Sequence, residues 1–197
     1  MKWLVGIDEA GRGPLAGPVA VGVAVVPVLF DWTLLSGVND SKKLKESKRE
    51  EVYRRALELK RAGKLDFAVC QTSALVIDKI GIVGAVETAM SKALKRLQLR
   101  EHDCEVRLDG ALKAPITYAN QKTIIGGDGL EPIIGLASIL AKVTRDRYMT
   151  RAGNKPELLN YNLAVHKGYG TKEHRELISL HGLSDIHRRS FCKNIQT

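Results

Sequence analysis

The chain of 197 residues has few cysteines and no long apolar run, and both absences exclude classes of protein. Its 3 cysteines are widely spaced and form no C-x-x-C pattern, which argues against a disulfide framework and against a zinc knuckle. No segment approaches the ~18 consecutive apolar residues of a transmembrane helix, and the apolar start at residues 3–7 is too short for the core of a signal peptide. We therefore expect a cytoplasmic protein with reduced thiols and no membrane association.

The sequence also lacks the motifs of the common nucleotide-cofactor enzymes. It contains no G-x-x-x-x-G-K-[ST], which excludes a P-loop NTPase. Gly11, Gly13 and Gly17 form G-x-G-x-x-x-G, one residue longer than the dinucleotide-binding fingerprint, and two carboxylates stand where a pyrophosphate would lie. No serine or cysteine lies in a nucleophile-elbow context. These absences direct attention to chemistry carried by acidic and basic side chains.

Basic side chains outnumber acidic ones. The 31 Lys and Arg against 22 Asp and Glu give a formal net charge of +9 at pH 7. The composition is otherwise that of a globular protein, with 44% hydrophobic residues, and the length fits one domain with a sizeable core. A basic surface favours a polyanionic partner such as a nucleic acid, although charge alone does not identify that partner.

Strand and helix patterns alternate along the chain and predict a mixed α/β fold. Short β-branched runs predict strands, the second antiparallel to the first, at residues 3–7, 19–26, 65–72, 105–108 and 123–125. Apolar positions at helical spacing predict helices at residues 47–62, 82–97, 132–151 and 171–180, and Ser47 with Glu50 matches a capping box at the start of the first helix. We expect a catalytic core at residues 1–152 and a helical C-terminal region at residues 153–197, packed together as a single structural domain.

Acidic side chains follow three of the predicted strands. Asp8 and Glu9 end the first strand, Asp109 follows the fourth, and Asp128 lies just after the fifth. Ligands of open α/β sheets gather beyond the carboxyl ends of strands, so these four carboxylates could meet in one cleft. Converging negative charges repel one another unless cations hold them, and carboxylates are ligands of Mg²⁺. The pattern therefore predicts a divalent-cation site of the kind that assists phosphodiester chemistry.

An alternative role for these acids is structural. Neighbouring residues on a strand point to opposite faces, so Asp8 and Glu9 can serve one site only if the strand ends and bends there. Either residue could instead cap a turn and pair with Arg12, and Asp109 and Asp128 each precede a glycine, as in ordinary turns. The coincidence of three such acidic positions favours the metal hypothesis.

Basic and polar segments suited to a nucleic-acid backbone accompany these acids. Arg12 between Gly11 and Gly13 permits close approach to the minor groove of a hybrid duplex, where the 2′-hydroxyl distinguishes RNA from DNA. Further candidates for phosphate or sugar contacts are Lys42 and Lys43 in a loop, Ser138, Lys142 and Arg145 on a helix, and Tyr169 in a basic, glycine-bounded loop. Structural or surface roles without metal binding are expected for His102, His174, His181 and His187.

Seven segments of the sequence resemble, in their order and spacing, the ribonuclease HII family. They are residues 7–19 (IDEAGRGPLAGPV), 39–44 (NDSKKL), 108–110 (LDG), 126–128 (GGD), 137–149 (ASILAKVTRDRYM), 166–174 (HKGYGTKEH) and 187–191 (HRRSF). The resemblance covers nearly the whole chain. The related ribonuclease HIII family carries an N-terminal extension, and a first strand near residue 3 disfavours that alternative.

The resemblance implies a ribonuclease H-like mixed β-sheet flanked by helices, with a helical C-terminal extension. It implies catalytic and metal-binding roles for Asp8, Glu9, Asp109 and Asp128. It also implies that Gly11, Arg12 and Gly13 read the RNA–DNA junction and that Tyr169 senses it. From their residue types and positions in the chain, we expect phosphates to be held by Lys42, Lys43, Ser138 and Lys142.

The implied function is hydrolysis of the RNA strand of RNA–DNA hybrids and cleavage 5′ of ribonucleotides embedded in duplex DNA. Two-metal-ion catalysis with Mg²⁺ or Mn²⁺ would leave 3′-hydroxyl and 5′-phosphate ends. We expect a monomer, and the tail after Phe191 shows no sliding-clamp motif. Two alternatives stay open: a DNA strand-transferase or resolvase of the same fold, which needs no 2′-hydroxyl sensor, and a non-catalytic nucleic-acid-binding module, whose binding four carboxylates would oppose.

Overall fold

The structure, a computed structural model, describes residues 2–38 and 44–195. Within these ranges the strands are β1 (Trp3–Ala10), β2 (Val19–Pro27), β3 (Asp66–Thr72), β4 (Cys104–Asp109) and β5 (Gln121–Ile124). The α-helices are α1 (Glu46–Arg61), α2 (Ala74–Leu97), α3 (Gly127–Leu130), α4 (Pro132–Gly153), α5 (Leu163–His166) and α6 (Lys172–His181). None of the helices described combines the length and the apolar character that crossing a membrane requires.

The strands form one mixed sheet, as the alternating pattern predicts. Its strand order is β3-β2-β1-β4-β5. β1, β2 and β3 form an antiparallel meander, whereas β4 is parallel to β1 and β5 is parallel to β4. Because β1 and β4 are parallel neighbours, their carboxyl ends lie at the same edge of the sheet. This edge receives the acidic residues that follow both strands.

Helices cover both faces of the sheet. Alternate residues of β1 point to opposite faces, so Val5 and Ile7 pack in the cluster that contains the buried side of α2. Leu4 packs on the other face with α1 and α4, in a cluster that includes Val52 of α1 and Ile133 of α4. The sheet is therefore the middle layer of three, and β1 lies at its centre.

Two glycines let α4 approach the sheet closely. A Cβ atom on Gly22 would lie 2.3 Å from the carbonyl oxygen of Ala137, and one on Gly6 would lie 2.2 Å from a carbonyl oxygen of the first turn of α4. Gly22 is the β2 partner of Asp8. The close approach therefore seats α4 over the end of β1, where Ser138 hydrogen-bonds to Asp8.

The segment after α4 packs against the end of that helix and against the loop that follows β1. Met149 of α4 belongs to an apolar cluster with Leu158, Leu163 and Ala16. Ala16 also forms an antiparallel bridge with His187. The loop between β1 and β2 is therefore held from both sides by residues distant in sequence.

The start of α1 differs from the capping-box prediction. The helix begins at Glu46, and its N-cap residue Lys45 makes no side-chain capping hydrogen bond. Glu50 instead accepts a hydrogen bond from Nε of Arg147 on α4 at 3.0 Å. The assignment of Ser47 as the cap was wrong, because a tertiary ion pair takes the carboxylate that the local motif would have used.

The helix α2 begins eight residues before the predicted start at residue 82, at Ala74. Gly81 interrupts it with a φ of 75° and a ψ of 165°, a conformation that glycine tolerates without strain. Leu75 and Ile80 in the first segment are exposed. Apolar periodicity could not reveal this segment, since its apolar residues do not all face the core.

Candidate active site

A cleft of about 360 Å³ lies at the carboxyl ends of β1 and β4. Asp8 and Glu9 line it from β1, and Asp109 lines it from the last position of β4. These three acidic residues were all predicted from the sequence. The structure thus brings together carboxylates that are about a hundred positions apart in the chain.

Asp8 and Glu9 reach the same cleft for a reason that differs from the expected one. β1 does not end at Asp8, because its antiparallel ladder with β2 continues to Ala10. The parallel ladder with β4, however, stops at the pair Ile7 and Leu108. Beyond Ile7 the β4 side of β1 is uncovered, so the cleft opens along an exposed strand edge rather than beyond a bent strand end.

Asp8 is the most buried acid of the cleft, with 4% of its surface exposed. Burial is the main reason that its pKa rises from 3.8 to about 8; the neighbouring charges of Glu9 and Asp109 contribute to the rise, whereas a hydrogen bond from Ser138 opposes it. Near neutral pH this carboxyl group therefore holds a proton unless a cation replaces it. A set of carboxylate oxygens with a desolvated member is a fitting donor set for a hard divalent cation.

Asp109 is fixed in place by the turn that precedes α3. Its Oδ1 accepts a hydrogen bond of 2.6 Å from the backbone N–H of Gly127. Asp128 follows Gly127 directly in the sequence and therefore lies close to Asp109. It is 2% exposed. In the part of the chain that the structure describes, Asp128 is buried and is not among the residues that line the cleft.

Glu9 is paired with Arg12, as the structural alternative anticipated. The distance between Nη1 of Arg12 and Oε1 of Glu9 is 3.1 Å, and the Arg12 side chain is 47% exposed. An exposed pair of this kind contributes only about 0–1 kcal/mol. Pairing with Arg12 and lining the cleft are therefore compatible roles for Glu9.

The loop that holds Gly11, Arg12 and Gly13 is fastened by Arg188, a residue to which the sequence assigned no role. The buried guanidinium donates hydrogen bonds to the carbonyl oxygens of Gly11 at 2.6 Å, Arg12 at 2.9 Å and Gly17 at 3.0 Å. A planar group with several fixed donors suits three converging carbonyls. The HRRSF segment at residues 187–191 marked this region, but spacing alone could not place it beside Arg12.

Arg145 is buried and is not among the residues that line the cleft, so the prediction that it contacts phosphate or sugar was wrong. Its side chain is fully buried and donates to the carbonyl oxygens of Pro18 at 2.9 Å and Ala16 at 3.1 Å. A Cβ atom on Gly11, whose φ is +87°, would lie 1.9 Å from Nε of Arg145. The glycine is therefore needed both for its backbone conformation and for the close passage of this arginine.

Ser138, Lys142 and Tyr169 line the same cleft as the carboxylates. Nζ of Lys142 lies 3.0 Å from Oδ1 of Asp146 and 5.2 Å from the centre of the Tyr169 ring, and Tyr169 is 40% exposed. The lining of the cleft therefore combines a hydroxyl, an ammonium and an aromatic face with the acidic groups. The hydroxyl, the ammonium and the aromatic face suit phosphate oxygens and a sugar.

Arg49 also lines the cleft, although the sequence did not single it out. It lies in the first turn of α1 and donates a hydrogen bond to the carbonyl oxygen of Leu44. Its place directly after a basic loop was the only available signal. Lys42 and Lys43 of that loop lie outside the described residues.

The mixed sheet and the acidic, arginine-flanked cleft define a nuclease of the ribonuclease H type. A family model described as ribonuclease HII matches residues 5–194. The chain belongs to the ribonuclease HII family, as its motifs indicated. It is accordingly a metal-dependent endoribonuclease that cleaves the RNA strand of RNA–DNA hybrids and acts in ribonucleotide excision. Family membership decides against the strand-transferase and binding-only alternatives.

Individual relatives agree with this assignment along most of their length. The chain is 44% identical over 190 residues to a ribonuclease HII from Desulfitobacterium hafniense (strain DSM 10664 / DCB-2), which covers 96% of this chain and 68% of the relative. It is 43% identical over 194 residues to a ribonuclease HII from Caldicellulosiruptor bescii, which covers 98% of this chain and 88% of the relative.

Solved structures share the fold. Ribonuclease H2 from Pyrococcus horikoshii OT3 has a TM-score of 0.73 at 25% identity, over 98% of this chain and 97% of that one. The ribonuclease HII of Archaeoglobus fulgidus, solved in complex with PCNA, has a TM-score of 0.74 at 23% identity, over 95% and 94%. Bst-RNase HIII in complex with Mn²⁺ has a TM-score of 0.65 at 17% identity, over 92% and 63%. The expected ribonuclease H-like fold is thereby confirmed.

Proposed function

We propose that the cleft hydrolyses the phosphodiester bond on the 5′ side of a ribonucleotide, either embedded in duplex DNA or within an RNA strand paired to DNA. The products would be a 3′-hydroxyl and a 5′-phosphate. The observation that carries this proposal is the convergence of Asp8, Glu9 and Asp109 on one cleft, with the loop of Arg12 directly beside it. A hydrolytic centre next to a possible ribose sensor accounts for both features.

We propose Asp8, Glu9 and Asp109 as the ligands of Mg²⁺ or Mn²⁺, with Asp128 as a more peripheral ligand. Two such ions, when bound, lower the pKa of an attacking water and stabilise the negative charge on the leaving 3′ oxygen. The donor set supports the assignment, because all the proposed ligands are carboxylates. The burial that raises the pKa of Asp8 supports it too, since a bound cation would compensate for the lost solvation.

The residues of the chain itself would orient the substrate. Glu9 would leave its exposed ion pair with Arg12 when it takes a ligand position, which frees Arg12 to approach a sugar edge. Apart from Gly13 and its chain neighbours, no described residue has a heavy atom within 4 Å of the position that a Cβ atom of Gly13 would occupy, so a backbone could approach the loop there. We therefore assign recognition of the 2′-hydroxyl to Gly11, Arg12 and Gly13.

Tyr169 is proposed to contact the deoxyribose that follows the ribonucleotide. Tyr169 lines the same cleft as the carboxylates, and its ring lies beside Lys142. Ser138 and Lys142 would bind phosphate oxygens, and Lys42 and Lys43 are proposed to do the same from the preceding loop. These contacts hold the scissile bond in the cleft, and positioning of this kind supplies a large part of the rate in phosphoryl transfer.

A duplex with one ribonucleotide tests the proposal most economically. The protein is incubated with this duplex and with a matched all-DNA duplex, with Mg²⁺, with Mn²⁺ or with chelator. We expect cleavage of the ribonucleotide-containing strand alone, and only when a divalent ion is present. The cut should leave a 3′-hydroxyl that a DNA polymerase can extend. Cleavage of the all-DNA duplex, or a cut on the 3′ side of the ribonucleotide, would contradict the proposal.

Further expectations concern assembly and location. We propose that the protein is a monomer and that it works in the cytoplasm. The three free cysteines support this location, because thiols stay reduced there. The Archaeoglobus fulgidus relative forms a complex with PCNA.

A further inference from the structure

Three histidines form a buried cluster behind the loop that carries Tyr169. His166, His174 and His187 are 9%, 0% and 2% exposed. The rings of His166 and His174 are stacked with their centres 4.2 Å apart, and the Nε2 atoms of His174 and His187 are 3.0 Å apart. The proposed reaction uses none of these rings, yet their burial needs an explanation.

The hydrogen bonds of the cluster determine where each proton lies. The backbone N–H of Ser184 donates to Nδ1 of His187 at 3.0 Å, so the proton of a neutral His187 must be on Nε2. The Nε2–H group of His187 then donates to Nε2 of His174, so the proton of His174 must be on Nδ1. Nδ1 of His174 lies 2.9 Å from the carbonyl oxygen of Tyr169 and donates to it. The result is a directed relay from Ser184 to Tyr169.

The same reasoning fixes His166. The backbone N–H of Gly168 donates to Nδ1 of His166 at 3.2 Å, so Nε2 carries the proton and donates to the carbonyl oxygen of Tyr161 at 2.8 Å. Lys167 and Gly168 have φ angles of 52° and 81°, so the backbone before Tyr169 is in an unusual conformation that needs such support. Imidazole rings thus hold the peptide group between Lys167 and Gly168 and the peptide group that follows Tyr169.

We propose that His174 is a positioning residue that, through the relay from Ser184 and His187, sets the orientation of Tyr169 toward the nucleotide after the ribose. This inference rests on the proposed role of Tyr169. The Tyr169 side chain is exposed, so the hydrogen bond to its carbonyl group restrains the peptide from which the ring projects.

Electrostatics support the neutral form that the relay requires. Burial is the main reason that the pKa values of His174 and His187 fall from 6.5 to about 4 in each case, and the neighbouring imidazoles contribute to the decrease. A second proton on Nε2 of His174 would face the N–H of His187, and one on Nδ1 of His187 would face the N–H of Ser184. At neutral pH the relay is therefore intact without any charged member.

The kinetic test compares His174→Phe with the control His181→Phe. Phenylalanine keeps an aromatic ring in the cluster but cannot donate to Tyr169, whereas His181 is an exposed histidine at the end of the same helix. We expect His174→Phe to lower kcat/KM on a duplex with one ribonucleotide by about tenfold, the size of one lost hydrogen bond. Its kcat/KM on a long RNA–DNA hybrid should fall less than about threefold, and His181→Phe should change neither value. A general loss of stability would not alter the ratio between the two substrates, so equal losses on both would overturn the proposal.

A double-variant cycle separates this inference from the proposed function. The ratio compared is that of kcat/KM on the duplex with one ribonucleotide to kcat/KM on the long RNA–DNA hybrid. If His174 acts through Tyr169, then His174→Phe should not change this ratio further in a Tyr169→Ala background. If Tyr169→Ala alone leaves the ratio unchanged, the proposed role of Tyr169 fails. If Tyr169→Ala changes the ratio but His174→Phe does not, only the positioning role of His174 fails.

A measurement on the unaltered protein tests the relay even if His174→Phe does not fold. Two-bond ¹H–¹⁵N NMR correlations distinguish the tautomers of each imidazole. Near pH 7 we expect the proton of His187 and of His166 on Nε2 and that of His174 on Nδ1. A protonated Nε2 on His174 would overturn the proposal, since its Nδ1 could then not donate to Tyr169.

Discussion

At the scale of single residues, the burial of Asp8 favours the binding of a cation but destabilises the metal-free protein. Its folded-state pKa of about 8 lies above the unfolded value of 3.8, so between these pH values the native state holds a proton that the unfolded state has lost. The contribution of Asp8 to the stability of the metal-free protein is therefore complete below about pH 3.8 and is lost as the pH rises through 8. The feature that makes Asp8 a good cation ligand thus makes it a destabilising residue without one.

The variant Asp8→Asn should separate these effects. We expect cleavage to fall more than about 100-fold, because even residues behind a metal ligand cost about 10- to 100-fold when they are removed. Without metal at pH 8, its Tm should exceed that of the unaltered protein, and the difference should shrink toward pH 5. Thermal unfolding and single-turnover cleavage measure the two outcomes.

Asp66→Asn is a suitable control for that experiment. Asp66 begins β3 at the opposite edge of the sheet, where it pairs with Lys60. It should alter neither cleavage nor the pH dependence of Tm. Mg²⁺-dependent cleavage at the normal rate by Asp8→Asn would remove Asp8 from the proposed ligands.

Arg188 provides a second prediction at this scale. In Arg188→Lys a single ammonium replaces a guanidinium that binds three backbone carbonyls, so two or more of these bonds are lost at a buried site. We expect a loss of about 2–3 kcal/mol in the free energy of unfolding, measured by urea denaturation, together with weaker cleavage at single ribonucleotides. The exposed neighbour Arg189 offers the matched control, Arg189→Lys. Equal urea midpoints for the two variants would show that the carbonyl contacts of Arg188 are energetically unimportant.

At the scale of helices and strands, the sequence predicted well which elements exist and whether each is a helix or a strand. It predicted less well where each element begins and ends. Strands β1 and β2 are short and largely apolar, and the buried stripe of α1 recurs at helical spacing at Val52, Ala56 and Leu59. Such signals are local and therefore readable. The cap of α1 and the start of α2 were wrong, because Glu50 binds Arg147 from another helix and Gly81 interrupts the helical period.

The close approach of α4 to the sheet yields a prediction for Gly22→Ala. The added methyl group would lie 2.3 Å from a backbone oxygen of Ala137, which cannot rotate away. We expect a loss of about 3 kcal/mol in unfolding free energy and reduced cleavage, because α4 would move Ser138 away from Asp8. Urea denaturation and cleavage assays report the two effects.

Gly84→Ala is the matched control for this substitution. Gly84 lies inside α2, and a Cβ atom there would contact only the side chain of Ile80, at 3.4 Å. Alanine is favoured over glycine in a helix by about 1 kcal/mol. Gly84→Ala should therefore be neutral or stabilising. Equal stability of Gly22→Ala and the unaltered protein would show that α4 can shift without cost.

At the scale of the whole molecule, the site depends on contacts that no local pattern encodes. Sequence order suggested that Asp8, Glu9 and Asp109 converge, since strand ends share an edge in α/β sheets. It could not show that Asp128 is buried, that Arg145 faces inward, or that Arg188 binds the loop around Arg12. These facts follow from tertiary packing between the two ends of the chain.

We therefore predict that residues 1–152 and the C-terminal region at residues 153–197 depend on each other for stability and are not autonomous domains. A chain that stops after residue 152 would lose Arg188 and the apolar partners of Ala16 and Met149. We expect it to lack a cooperative unfolding transition by circular dichroism, and we expect the full chain to unfold in one step. A cooperative transition with an unchanged urea midpoint would instead make residues 1–152 an independent domain.

The central claim is that the carboxylates of the cleft hold divalent cations at the scissile bond. Anomalous diffraction from crystals grown with Mn²⁺ and an uncleaved ribonucleotide-containing duplex tests it most directly. We predict manganese peaks within coordination distance of carboxylate oxygens of Asp8, Glu9 and Asp109, beside the phosphate 5′ of the ribonucleotide. Manganese bound elsewhere, or a duplex bound in the cleft with no metal between it and these carboxylates, would contradict the account.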